Sequence, residues 1–396
     1  MHKLIRKLRG LFYSAACRLA CGGRIEPKKV VFNQTDGNGY GCNQKYIAAE
    51  ILRRGLGWDL VWLCRDPEKA RATMPEGIRI VPFFSFAAMR ELMTAGMWCS
   101  NQFFRHHVKH CGLRKRPGQT YFQTWHGSLG IKFTHSGVQW EKVHPESEGN
   151  EFKRAEAETM DYLIANSEWD AKRQLNHFYG HGEVKMFGHP RNDIFFSDAA
   201  RAAAVAKVRE RYGIAPDEKI VLYLPTLRLD KRYDGYLYDY AALTDALARR
   251  FGGKWRAVAR MHPVLLHKGR ALSAVGEGID ASGWPDVQEL MSAADALVSD
   301  YSSAMFDYML MHRPVFAYVP DLESYTANEG LLYPLTDTPF GVGRSVEELV
   351  DSIAKFDSEG YPAAVDAFLA GKGCCEDGHA SERTVDLMEE IACRAS

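Results

Sequence analysis

Long apolar runs are missing: no stretch approaches the roughly 18 unbroken apolar residues of a bilayer-spanning helix, so the sequence reads as soluble or peripheral to a membrane. Net charge is missing too. Fifty basic residues balance fifty acidic ones, which leaves no overall field to gather nucleic acid, so electrostatic targeting must come from local clusters. Cysteine is present but unorganised. Nine residues, an odd number with no C-x-x-C pair, argue against a zinc framework or a disulfide scaffold and fit reduced cytosolic thiols. No D-x-D occurs, so the metal clamp common among nucleotide-sugar transferases has no seat, and neither metal nor cofactor is expected.

What is present is locally biased charge. Residues 1–29 carry Lys3, Arg6, Lys7, Arg9, Arg18, Arg24, Lys28 and Lys29 against the single acid Glu26, while Leu4, Ile5, Leu8, Leu11 and Phe12 recur at helical spacing. Residues 1–24 therefore read as a basic amphipathic helix that lies on an anionic membrane surface, the alternative being a solvated terminal helix. A second bias is an absence of acids. No Asp or Glu occurs between Glu91 and Glu141, a segment holding Arg105, Lys109, Arg114, Lys115, Arg116 and Lys132. This predicts a surface for a phosphate-rich acceptor or a membrane, unless the acids of 141–161 balance it in space. The nearby His106, His107, His110 and Cys111 suit a metal by type but lack a complementary ligand pair.

At 396 residues the chain is two to three times the usual domain length, and two domains are expected. Short apolar strands alternate with amphipathic helices, predicted at 29–33, 58–63, 78–81, 121–124, 162–165 and 184–187, then, after a helix at 198–212, at 220–224, 256–261, 296–299 and 315–318. The pattern implies an α/β fold of two doubly wound Rossmann-like domains facing a cleft. The divisions are 1–24 for the basic helix, 25–190 for an acceptor domain, 191–375 for a donor domain and 376–396 for a C-terminal helix.

Ligands of such sheets bind at the carboxyl ends of the strands. His126 ends the strand at 121–124 inside the acid-free segment and is placed to act as a general base. In the second half, Thr226 with Arg228, Arg260 with His262, and Asp300 with Ser302 and Ser303 all follow strands. The two serines open a helix whose free N–H groups suit a phosphate. Arg191 and Asn192, near the crossover, are placed with these phosphate-binding residues, although that position would let them serve either half. The loop 36–43 is glycine-rich but is not G-x-G-x-x-G, and it reads as room for an acceptor to approach.

Five motifs stand in order: 123–128 (Gln-Thr-Trp-His-Gly-Ser) with Lys132, 188–193 (Gly-His-Pro-Arg-Asn-Asp), 225–228 (Pro-Thr-Leu-Arg), His262-Pro263, and 300–308 beginning Asp-Tyr-Ser-Ser. Together they resemble the CDP-glycerol glycerophosphotransferase family of teichoic acid and capsule synthesis. The resemblance implies a GT-B fold, a CDP-glycerol or other CDP-polyol donor, a polyprenyl-linked glycan acceptor, and peripheral attachment at the cytoplasmic face of the membrane. In such a transfer His126 and His262 are read as the catalytic residues, His126 taking the acceptor's proton and His262 stabilising charge on the diphosphate. A nucleotide-sugar glycosyltransferase, a UDP-sugar epimerase or an inactive scaffold are the alternatives. The family often has Gly-Thr-Pro-Leu-Lys where this chain has Gly127-Ser128-Leu129-Gly130-Ile131-Lys132.

Overall fold

The computed structural model describes residues 23–104, 107–108, 112–133, 137–143, 150–226, 236–237, 239–261 and 278–395. The terminal basic helix up to residue 22 and the site candidates Arg105, Lys109, Arg228 and His262 lie outside the described residues. No helix among those described is long and apolar enough to cross a membrane.

Two compact units form. The first holds a seven-stranded sheet in the order β3-β2-β1-β4-β5-β6-β7. Its strands are β1 (Glu26–Asn33), β2 (Asp59–Cys64), β3 (Ile78–Pro82), β4 (Ala95–Ser100), β5 (Thr120–Gln123), β6 (Tyr162–Ala165) and β7 (Glu183–Met186), every neighbouring pair parallel. The second unit holds a six-stranded sheet in the order β10-β9-β8-β11-β12-β13, also parallel throughout. Its strands are β8 (Glu218–Leu224), β9 (Lys254–Ala259), β10 (Ile279–Asp280), β11 (Ala296–Ser299), β12 (Val315–Tyr318) and β13 (Gly341–Gly343). The expected pair of doubly wound sheets is present.

Central strands are apolar on both faces because helices cover both sides of a parallel sheet. Val30, Val31 and Phe32 of β1 are fully buried, as are Leu297 and Val298 of β11. The helices begin where side chains can satisfy their free amides. Ser167 accepts from Asp170 N to open helix Glu168–His177, and Ser197 accepts from Ala200 N to open helix Asp198–Tyr212, which Gly213 ends at φ +62°.

Chain order and unit membership diverge twice. The stretch Gly127–Phe133 belongs to the second unit, where Lys132 forms an antiparallel bridge with Leu331 and Leu332 N donates to Ile131 O at 2.7 Å. The C-terminal stretch Cys375–Ser396 returns to the first. Its helix Ala380–Ala395 buries Val385, Met388 and Ala392 against a core containing Ile47 and Ile51. Arg54 holds it electrostatically, reaching Asp386 at 2.6 Å and Glu389 at 2.7 Å.

Candidate active site

In the first unit the strand order reverses at β1, whose neighbours are β2 and β4, and in open parallel sheets ligands bind beside the carboxyl ends of the strands at such a reversal. The strand ends are tied by Asn33 Nδ2, which donates to Ser100 Oγ at 3.1 Å. Beyond β1 the chain turns through left-handed conformations at Thr35, Asp36, Gly37 and Gly39. Gly37 is required twice over: its φ is +81°, and a Cβ would lie 2.8 Å from Phe83 Cβ. The turn delivers Thr35 N to Asn101 Oδ1 at 2.9 Å, just past β4.

Asn101 in turn reaches His126. The imidazole Nδ1 lies 2.9 Å from the Asn101 carbonyl oxygen. A carbonyl only accepts, so Nδ1 carries the proton and the lone pair of the neutral ring resides on Nε2. His126 is exposed and its ring stacks obliquely on Trp125 at 4.7 Å. Behind Trp125, at 4.5 Å, lies His177. Burial, reinforced by the positive charges of Lys153 and Arg173, depresses the His177 pKa well below the ordinary histidine value and keeps that ring neutral.

A buried carboxyl group, Glu156, lies under the same strand. Glu156 accepts from Phe104 N at 2.6 Å and Tyr121 Oη at 2.9 Å, and burial pushes its pKa up to about 8. Nothing in the sequence marks it, since an acid on an amphipathic helix ordinarily faces water.

Arg191 and Asn192, expected with the phosphate-binding residues beyond the crossover, lie in the first unit and are buried. Arg191 N donates to Asn43 Oδ1 at 3.1 Å, and Asn192 Nδ2 donates to Glu376 Oε1 at 2.7 Å. Glu376 also accepts from Asn166 Nδ2 at 3.0 Å and His189 N at 3.2 Å, so it fastens the returning C-terminal segment to this turn. Sequence spacing gives no hint of it.

The second unit repeats the topology, with reversal at β8 between β9 and β11. Thr226, just past β8, donates its amide to both Asp300 carboxylate oxygens at 3.0 and 2.9 Å, and Asp300 also accepts from Tyr301 N at 2.6 Å. Lys132 Nζ reaches Thr226 Oγ1 at 3.1 Å. A residue expected on the acceptor side therefore stands at the second sheet's strand ends. Arg260, past β9, is partly buried and gives Nε to Trp284 O at 3.2 Å. Burial draws its guanidinium pKa down, with Asp286 opposing the shift. Ser302 Oγ accepts from Ala304 N at 3.3 Å, while the Ser303 side chain makes no cap on the short helix Ala304–Tyr308.

The basic segment divides by role. Lys115 pairs with Asp161, and the Arg116 guanidinium donates to the carbonyls of Gly23 at 2.9 Å and Met93 at 2.8 Å. Asp161, from the acidic stretch 141–161, thus offsets part of the basic segment, and Arg116 works as a strut. Arg114 remains exposed. Among the described residues no three His, Cys, Asp or Glu side chains are grouped to hold a metal ion.

With this geometry in place, comparison with known proteins gives consistent matches. Residues 14–390 match the family model of CDP-glycerol:poly(glycerophosphate) glycerophosphotransferase. A teichoic acid poly(glycerol phosphate) polymerase of Staphylococcus epidermidis is 26% identical over 381 residues, covering 92% of this chain and 51% of the relative. One of Bacillus spizizenii is 26% identical over 399 residues, covering 98% of this chain and 99% of the relative. The chain spans about half the length of the Staphylococcus epidermidis relative and of a Bacillus subtilis one. A solved structure of the wall teichoic acid polymerase TagF superposes with a TM-score of 0.80 at 24% identity, covering 99% of this chain and 98% of that one, and the two share a fold of the GT-B type.

Proposed function

Because the chain belongs to the CDP-glycerol:poly(glycerophosphate) glycerophosphotransferase family, we propose that it transfers glycerol phosphate from CDP-glycerol to a hydroxyl of a lipid-linked glycan, releasing CMP. The acceptor oxygen attacks the β-phosphorus of the donor. A new P–O bond forms to the acceptor as the bond to the CMP oxygen breaks, and the hydroxyl proton passes to a base. The result is a phosphodiester.

The observation that carries this reading is the Asn101–His126 contact, which fixes the tautomer a base needs, with its lone pair on Nε2. A correctly placed base contributes about 10²–10⁴-fold to such a reaction. At the second sheet's strand ends, Lys132 and Arg260 supply positive charge for a diphosphate and for the charge that grows on departing CMP. His262 is assigned to the same task from the sequence motif alone. Asp300 serves differently: it accepts from the amides of Thr226 and Tyr301 and so shapes the turn that presents Thr226.

The basic stripe of residues 1–24 suits attachment to the cytoplasmic face of an anionic membrane, where a lipid-linked acceptor would be found. Purified protein should be offered CDP-glycerol, CDP-ribitol and a panel of UDP-sugars together with a glycerol phosphate-terminated lipid acceptor. Acceptor-dependent CMP from CDP-glycerol is expected; UDP from a UDP-sugar, with no CMP, would replace the reading with a glycosyltransferase or epimerase.

A further inference from the structure

The bend that carries His126 away from β5 is held from outside its own strand. Trp125 has φ +55°, a left-handed conformation that a bulky side chain adopts only when its surroundings impose it. Its amide is fixed locally by Gln123 Oε1 at 3.0 Å. Its carbonyl is fixed by Asn43, whose Nδ2 donates to Trp125 O at 3.1 Å and to Thr124 O at 2.9 Å. Asn43 is fully buried in the first turn of helix Cys42–Arg53, and its Oδ1 accepts from Arg191 N at 3.1 Å. The partners settle the carboxamide's orientation, because two carbonyls require the NH₂ and one amide N–H requires the oxygen. Gln44 adds a fourth tie, Nε2 to Thr124 Oγ1 at 2.8 Å.

No other common side chain of this size offers two donors and an acceptor on one planar group. Asp lacks the donors, Leu lacks both, and Gln moves the group by one methylene. We propose that Asn43 is a positioning residue for His126: one carboxamide pins the two carbonyls that precede the imidazole and thereby sets the path from strand to base. This rests on the reading of His126 as the base. A displacement of about 1 Å in a catalytic group can cost about 10²-fold, so losing the pin should act on turnover and leave donor affinity alone.

The test compares Asn43→Ala, Asn43→Asp, His126→Ala and the double variant Asn43→Ala/His126→Ala in the full chain. CMP release is measured at saturating CDP-glycerol with a glycerol phosphate-terminated lipid acceptor, and donor Kd by calorimetry. Each Asn43 variant is expected to lose about 10²-fold in kcat with donor Kd within about twofold of wild type. The double variant should be no slower than His126→Ala, because a residue that acts only through His126 has nothing left to position. Asn43→Asp carries a further signature. A buried carboxyl facing two carbonyls favours its protonated form, which donates again, so its rate relative to wild type should rise as pH falls. It is nearly isosteric with Asn and keeps the acceptor for Arg191, so it carries the test if the alanine variant fails to fold.

Wild-type kcat in Asn43→Ala beside a crippled His126→Ala would overturn the assignment of Asn43 alone. So would multiplying losses in the double variant, or a loss confined to donor Kd. Full turnover in His126→Ala would instead overturn the reading of the base, and the proposal with it.

Discussion

His126 Nδ1 stands 2.9 Å from the carbonyl oxygen of Asn101, and this contact joins the carboxyl ends of two neighbouring strands of the first sheet, β5 and β4. The Thr35 amide bonded to the Asn101 side chain extends the link to β1. In the proposed role of base, His126 has its tautomer and ring plane set before substrate arrives, and little reorganisation is left for the reaction itself.

Lys132 tests how the charges of the second unit are used. Its ammonium is bound to Thr226 at the strand ends of that unit, so Lys132→Ala should raise the Kd for CDP-glycerol about tenfold, equivalent to about 1.4 kcal/mol, with kcat falling less. Calorimetric titration of donor into each protein measures this. An unchanged donor Kd with a raised KM for acceptor would return Lys132 to the acceptor surface that its sequence position suggested.

Glu156 sets a pH dependence of stability. Its folded pKa of about 8 lies above the ordinary carboxylate value of 4.5, so the folded protein holds a proton that the unfolded chain releases. Stability from this group is fully present below the unfolded pKa and is lost as pH rises through about 8. Glu156→Gln keeps an acceptor for Phe104 and Tyr121 and cannot ionise. Thermal melts from pH 5 to 9 should show a flatter profile for the variant, with its largest relative gain at the alkaline end. Parallel profiles for the two proteins would mean that Glu156 is ionised in the fold.

Membrane attachment is tested by deleting residues 1–22. The eight-to-one basic excess of residues 1–29 beside an apolar stripe predicts that the shortened protein leaves anionic vesicles for the supernatant while its melting transition persists. Unchanged co-sedimentation, or loss of folded protein, would make the segment a structural element instead.

Much of the architecture is legible in the sequence because parallel strands buried on both faces announce themselves as apolar runs between helices. The expected helix at 198–212 matches helix Asp198–Tyr212, marked by a serine before it and a glycine after it. β4 escapes notice. Ala95–Ser100 follows helix Phe86–Thr94 without an intervening breaker, and all six residues are buried, so no alternation betrays a strand. The two-residue β10 and three-residue β13 carry too little pattern to stand out.

That omission also hid part of the site. His126 stands out because it ends a recognisable strand, whereas Asn101 follows β4, which has no strand signature. Asn43 was visible as the end of a glycine-rich loop, yet its bonds to residues 81 and 82 positions away have no local signature. Glu376 lies 184 residues from Asn192, and only the return of the C-terminal segment to the first unit brings them together.

The most direct test of the account is the rate of a single turnover in His126→Ala beside its affinity for CDP-glycerol. With the donor groups assigned to the second unit and His126 to the acceptor hydroxyl, the variant should bind CDP-glycerol as wild type does and transfer glycerol phosphate at least about 10²-fold more slowly. A variant that loses donor affinity but keeps its rate at saturation would contradict the account, placing His126 on the diphosphate and the base elsewhere.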